Sequence, residues 1–107
     1  MAADIKEINK IARLFAEDVR QVMPIHKAFL FGSYAKGYAT DLSDVDICFF
    51  LENYNGKKRV DIITELLCMG GKYPDAPFEP IVFESSELQN NNPFVNEIVS
   101  TGIDLLS

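Results

Sequence analysis

Two short apolar runs, joined by a polar connection that contains glycine, constrain the fold of this chain more than any other feature. The first run lies in residues 26–31, which lead into Gly32-Ser33, and the second is residues 45–51. Runs of this length bounded by glycine and polar residues are typical of buried strands. Both alternating faces of the second run are apolar beyond Asp46, so we expect a central strand that is covered on both sides.

The residues before these runs predict a long amphipathic helix. From Asp4 to Met23, apolar residues recur at three- and four-residue steps, which places them on one side of a helix. Asp4 is a candidate N-cap, and Pro24 ends the helix because proline lacks an N–H and disfavours helical geometry in the preceding residue. The predicted apolar stripe consists of Ile5, Ile8, Ile11, Ala12, Phe15, Val19 and Val22.

The residues after the two runs predict further helices and one more strand. A second helical stripe, which Gly70-Gly71 ends, consists of Val60, Ile63, Leu66, Leu67 and Met69. Residues 78–83 are predicted as a strand, and Pro80 limits it to a sheet edge or to a pairing that does not need the missing N–H. Pro93 opens a last helix, and residues 103–106 form either a terminal strand or an apolar tail.

Composition narrows the class of protein. A chain of 107 residues with 48% hydrophobic and 24% charged residues fits a single globular domain. No segment approaches the roughly 20 consecutive apolar residues that span a bilayer, and the first residues lack a signal-peptide pattern. Cys48 and Cys68 lack metal-ligand spacing and are expected to be small core residues in a reducing compartment, so we expect a cytoplasmic protein without a membrane partner. The net charge of −6 makes nucleic acid an unfavourable main partner.

Gly32-Ser33 is a candidate phosphate-binding turn. A glycine at the end of a buried strand leaves backbone N–H groups open to a phosphate, and the Ser33 hydroxyl adds a donor. A simple structural turn is the alternative interpretation. Residues 32–37 also match the first part of a P-loop, but Tyr38-Ala39 stand where that motif requires Lys-Ser/Thr, so the P-loop interpretation fails.

Asp44 and Asp46 are candidate metal ligands. On a strand with a period of two, both carboxylates lie on one face, and no neighbouring cation in the sequence neutralises them. Mg²⁺ favours sites made of one or two carboxylates together with substrate phosphates and water. Two exposed aspartates at the start of a strand are the alternative. An EF-hand is excluded because residues 47–49 are Ile, Cys and Phe and supply no side-chain oxygen ligands.

The spacing of the two signals resembles a known family. Gly32-Ser33, ten intervening residues and Asp44-Val45-Asp46 match the G-S-x10-D-x-D pattern of nucleotidyltransferases of the DNA polymerase beta type. The segments Gly32-Ser33-Tyr34-Ala35-Lys36-Gly37 and Ser43-Asp44-Val45-Asp46 are similar to that pattern throughout. Chain length and layout resemble the minimal nucleotidyltransferases, which are often the antitoxin partners of HEPN-domain toxins. The order of predicted helices and strands extends the resemblance over most of the chain.

The resemblance implies an α+β fold, a small mixed β-sheet flanked by helices, in a single domain over residues 1–107. It also implies that Gly32 and Ser33 bind the nucleotide triphosphate, that Lys36 and Ser43 contribute to nucleotide binding, and that two Mg²⁺ ions bind at the aspartates. For Lys36, a solvated surface lysine is an equal alternative.

A third carboxylate usually comes from a later strand in this family, and the resemblance assigns that position to Glu79. Together with Asp44 and Asp46, Glu79 would form the catalytic and metal-binding set. Glutamate replaces the more common aspartate at this position, and Glu84 and Asp75 are the alternatives.

The implied function is transfer of AMP from Mg-ATP to a hydroxyl, with a tyrosine of a partner HEPN toxin as the acceptor. The chain would then act as an antitoxin by AMPylation, in a hetero-oligomer or as a homo-oligomer. One alternative is a non-catalytic antitoxin that neutralises its partner by steric binding. Another is an aminoglycoside-type adenylyltransferase acting on a small molecule, which the lack of room for an acceptor-binding domain disfavours.

Overall fold

The fold is described from a computed structural model, which covers residues 4–40 and 43–106. Its sheet has the order β3-β2-β1-β4. β1 is antiparallel to β2 and β4, whereas β2 and β3 are parallel, so the sheet is mixed as predicted. The strands are β1 (Ile25–Phe31), β2 (Val45–Leu51), β3 (Phe78–Glu84) and β4 (Ile103–Asp104). β3 lies at an edge, which is where Pro80 can be accommodated without loss of an internal hydrogen bond.

Helices flank both faces of this sheet. They are α1 (Ile5–Arg20), α2 (Ser33–Lys36), α3 (Arg59–Gly70) and α4 (Pro93–Thr101), with a 3₁₀ turn at Ser85–Gln89. Asp4 caps α1 by accepting a hydrogen bond from the N–H of Lys6, and Asn92 caps α4 by accepting from the N–H groups of Phe94 and Val95. In the described part of the chain, no helix is long and apolar enough to cross a membrane.

One face of the sheet packs against α1 and α3. The alternate residues of β2 that point to this face are Val45, Ile47, Phe49 and Leu51, all of them buried. Phe15 of α1 lies at the centre, where its ring centroid is 5.6 Å from that of Phe49 and 4.5 Å from that of Phe78. Aromatic contacts of this kind add to the stability that burial of apolar area provides.

The other face of β2 contributes to a second core against α4. Cys48 and Phe50 are buried there, together with Phe29 of β1, and they pack with Val95 and Ile98 of α4. β2 is therefore a central strand covered on both sides, as the sequence predicts. Because the same strand belongs to both cores, the two layers of helices form one folded unit.

The predicted helical stripes are wrong at four positions. Ile5, Val22, Val60 and Leu67 are 38%, 67%, 63% and 52% exposed. α1 ends at Arg20, so Val22 lies in the following turn instead of on the buried helix face. Val60 is two residues from buried Ile62, about 200° around the helix, and therefore points away from the sheet.

The two cysteines differ in their environments. Cys48 is buried in the second core, where desolvation raises the pKa of its thiol to about 12. Cys68 is exposed on α3, so its prediction as a core residue is wrong. Both thiols are free.

Candidate active site

Gly32 forms the turn between β1 and α2, and its geometry depends on the absence of a side chain. Its backbone has φ +75° and ψ −150°, a region that is essentially restricted to glycine. A Cβ atom at this position would lie 2.2 Å from the Oδ2 atom of Asp46. Gly32 therefore permits the carboxylate of Asp46 to lie directly against the backbone of the turn.

Sheet register brings Asp46 and Glu79 together. Asp46 of β2 pairs with Phe31 of the antiparallel neighbour β1 and with Glu79 of the parallel neighbour β3. Residues paired across neighbouring strands point to the same face, which here is the face that packs against α4. Asp44 lies two residues before Asp46, next to the first residue of β2. The structure thus places all three predicted carboxylates at one end of the sheet, beside Gly32.

The pKa values of two of these carboxylates, Glu79 and Asp46, are raised by their surroundings. The pKa of Glu79 is raised, chiefly by a side-chain hydrogen bond with Asp44 and by the charge of that carboxylate, with smaller contributions from burial and from Asp46. The pKa of Asp46 is raised by partial burial and then by the charge of Asp44. Like charges so arranged disfavour ionisation, and a bound cation would relieve the repulsion.

These carboxylates fit a divalent cation that prefers oxygen ligands. The substrate would supply the remaining ligands of that cation. Within residues 4–40 and 43–106, no three Asp, Glu, His or Cys side chains surround a common point closely enough to hold a metal by themselves. Mg²⁺ is commonly held by one or two carboxylates together with phosphate oxygens and water, so a complete protein cage is not needed. Asp44, Asp46 and Glu79 are the residues that would hold it.

The other predicted nucleotide-binding residues lie on either side of this cluster. Ser33 begins α2 directly after Gly32, whereas Lys36 at its end forms an ion pair with Glu97 of α4, with Nζ and Oε1 3.1 Å apart. The Ser43 hydroxyl accepts a hydrogen bond of 2.8 Å from the N–H of Thr40. Ser43 therefore closes the turn that precedes Asp44. The two residues inside this predicted loop, Asp41 and Leu42, lie outside the described residues.

The alternatives for the third carboxylate are placed less favourably than Glu79. Glu84 pairs with Leu51, at the opposite end of β2 from Asp46. Asp75 lies exposed in the turn before β3. Of the three, Glu79 is the residue that sheet pairing and electrostatic coupling connect to the aspartates.

No sequence pattern indicated a role for α4, yet this helix lines a cavity next to Gly32. The cavity has a volume of about 170 Å³ and is lined by Phe31, Gly32, Lys36, Phe94, Glu97, Ile98 and Thr101. Lys36 and Glu97 are 61 residues apart, so no local pattern could have revealed their contact.

Comparison with known proteins gives a consistent family assignment. Residues 6–107 match the family model described as "Polymerase beta, Nucleotidyltransferase". A search of curated proteins found no match to this chain.

Similar solved structures share the fold. A protein from Sulfolobus solfataricus assigned as a nucleotidyltransferase is 24% identical, with a TM-score of 0.61 over 80% of this chain and 75% of that chain. A toxin–antitoxin complex with AMP-PNP is 21% identical, with a TM-score of 0.62 over 94% and 73% of the two chains. A variant of the toxin–antitoxin complex MntA–HpeT is 20% identical, with a TM-score of 0.60 over 94% and 72%. At 20–24% identity, the similarity to these structures establishes the fold alone.

Proposed function

This chain belongs to the polymerase beta nucleotidyltransferase family, and we propose that it transfers AMP from Mg-ATP to a hydroxyl group of a partner protein. The observation that carries the proposal is the convergence of Asp44, Asp46 and Glu79 beside the Gly32 turn. Three carboxylates beside a glycine turn, two of them with raised pKa values, are suited to a metal-bound triphosphate.

Each residue has a defined task in this reaction. Gly32 and Ser33 bind the triphosphate through backbone N–H groups and a hydroxyl, and they hold the α-phosphorus in line with the acceptor. Asp44 and Asp46, with Glu79 beside them, would provide oxygen ligands for magnesium. When bound, magnesium would stabilise the charge that develops on the transferred phosphoryl group and on the leaving pyrophosphate.

Glu79 is positioned to act on the acceptor. The acceptor oxygen forms a bond to the α-phosphorus of ATP as the bond from that phosphorus to the bridging oxygen breaks and pyrophosphate leaves. The proton of the acceptor hydroxyl passes to Glu79. Sheet pairing puts Glu79 next to Asp46, so its carboxylate lies at the carboxylate cluster, where it could accept this proton.

We further propose that the acceptor is a tyrosine of a HEPN-domain toxin and that the chain acts as its antitoxin. Two of the similar solved structures are toxin–antitoxin complexes, one of which contains AMP-PNP, and this supports the proposal by analogy of fold. In this proposal the chain is one minimal nucleotidyltransferase domain, and the membership of β2 in both cores supports this.

Mass spectrometry of the toxin tests this function. The protein encoded by the neighbouring gene is incubated with the wild-type chain, ATP and Mg²⁺, and we expect its mass to increase by one or more AMP groups. The Asp44→Asn/Asp46→Asn double variant should bind the toxin but leave it unmodified. A toxin that stays unmodified, yet is neutralised in cells by both forms of the chain, would contradict catalysis and support steric inhibition instead.

A further inference from the structure

The cavity between β1 and α4 adjoins the proposed phosphate turn but is separate from the carboxylates. Gly32 lines this cavity and also forms the turn at the end of β1. Phe31 and Glu79 are both paired with Asp46, one on each neighbouring strand. The cavity therefore lies on the opposite side of Asp46 from Glu79, the residue proposed to meet the acceptor.

Aromatic and aliphatic side chains form the walls of the cavity. The rings of Phe31 and Phe94 meet edge to face, with centroids 6.1 Å apart and an interplanar angle of 84°. Ile98 is buried behind them, whereas Phe94 remains 47% exposed and leaves part of its ring open to a ligand. A half-exposed ring next to an apolar wall favours a flat, weakly polar group.

The volume of the cavity limits what can enter it. Sites that enclose a whole drug-sized ligand have volumes of roughly 300–1,000 Å³. At about 170 Å³, this cavity can hold one ring system but not a complete nucleotide. An occupant that also reaches Gly32 would place its flat part in the cavity and its anionic part at the turn.

The rim of the cavity carries charge. Lys36 and Glu97 form an ion pair across it, with Lys36 on the short helix that follows Gly32 and Glu97 on α4. This pair links α4 to the short helix after the turn and provides both a hydrogen-bond donor and an acceptor at the edge of the apolar walls. Such an edge matches the polar periphery of a heterocyclic base.

We propose that this cavity binds the nucleobase of the nucleotide, packed against the ring of Phe94, with the Lys36–Glu97 pair at the edge of the base. The inference rests on the proposed function, because it assumes that the phosphates lie at Gly32. The nucleotide then lies on the β1 side of Asp46. The acceptor lies on the β3 side, where Glu79 is.

Binding of two probes tests the proposal without any acceptor. ATP and inorganic tripolyphosphate are titrated calorimetrically in the presence of Mg²⁺ into the wild-type chain and the Phe94→Ala variant. Stacking of a base on an aromatic ring is worth about 1–3 kcal/mol, so Phe94→Ala is expected to weaken ATP binding about 10-fold. Tripolyphosphate has no base, and its affinity should not change.

Two matched variants separate a direct contact from a structural effect. Phe94→Tyr keeps the ring and should retain ATP affinity. Val99→Ala removes another exposed apolar side chain of α4 that does not line the cavity, and it should bind both probes like the wild type.

The outcomes distinguish failure of the base site from failure of the proposed function. If the wild type binds ATP and Phe94→Ala binds it equally well, or loses both probes to the same extent, the base site is wrong while the proposed function stands. If the wild type binds neither ATP nor tripolyphosphate, the proposed function and the base site are both overturned.

Discussion

Replacing Asp46 by asparagine is expected to reduce AMP transfer by at least about 100-fold, the scale on which loss of one electrostatic contact to a transition state reduces turnover. Asparagine keeps the shape of the side chain but removes the charge that would hold magnesium. The same change should raise the melting temperature in metal-free buffer. Burial and the charge of Asp44 raise the pKa of Asp46, so the ionised form of Asp46 is disfavoured in the folded chain. A neutral side chain at this position removes the cost of burying the charge and its repulsion by Asp44.

The opposite signs of these two effects make the prediction specific. Transfer is followed by mass spectrometry of the toxin, and stability by thermal unfolding in the presence of a chelator. Asp61→Asn is a suitable control because this exposed aspartate lies on α3, which packs against the other face of the sheet. If Asp46→Asn lowered the melting temperature and left transfer intact, Asp46 would be a structural residue.

Replacing Gly32 by alanine is expected to lower both stability and transfer. The new methyl group would lie 2.2 Å from Asp46 Oδ2, so the carboxylate or the turn must move. Alanine also incurs backbone strain of about 1–3 kcal/mol at the φ of +75° and ψ of −150° found here. Because the displaced group is Asp46 itself, we expect transfer to fall about as far as it does in Asp46→Asn, again by roughly 100-fold.

Gly56→Ala provides the matched comparison for this variant. Gly56 has a similar φ of +78°, but a Cβ at that position meets no atom within 4 Å. Gly56→Ala should therefore show the cost in stability from backbone strain and retain full transfer activity. Equal transfer by the two variants would mean that the contact between Gly32 and Asp46 has no functional consequence.

The sequence predicts those features that depend on short-range patterns. The strand period placed Asp46 and Cys48 on one face of β2 and Ile47 and Phe49 on the other, and the structure confirms this division. Pro80 correctly indicated an edge strand because a missing N–H has a direct consequence for sheet pairing. The mixed sheet followed from the family resemblance.

Features that depend on long-range packing could not be predicted. Which side of α3 faces the sheet is decided by the position of the whole helix, and the apolar stripe therefore wrongly included Val60 and Leu67. The role of α4 was not foreseen either, because its contact with the Gly32 turn is made by Glu97 across 61 residues. Glu79 was assigned from the resemblance, and its pairing with Asp46 is a property of sheet register.

ATP labelled at different phosphates distinguishes nucleotidyl transfer at the carboxylates beside Gly32 from other reactions of ATP. The chain and its toxin are incubated with Mg²⁺ and with ATP carrying a radioactive label on either the α- or the γ-phosphate. Transfer of AMP predicts a labelled toxin with α-labelled ATP, an unlabelled toxin with γ-labelled ATP, and no label in either case with Asp44→Asn/Asp46→Asn. Label that came from the γ-phosphate, or that persisted in the double variant, would contradict the account.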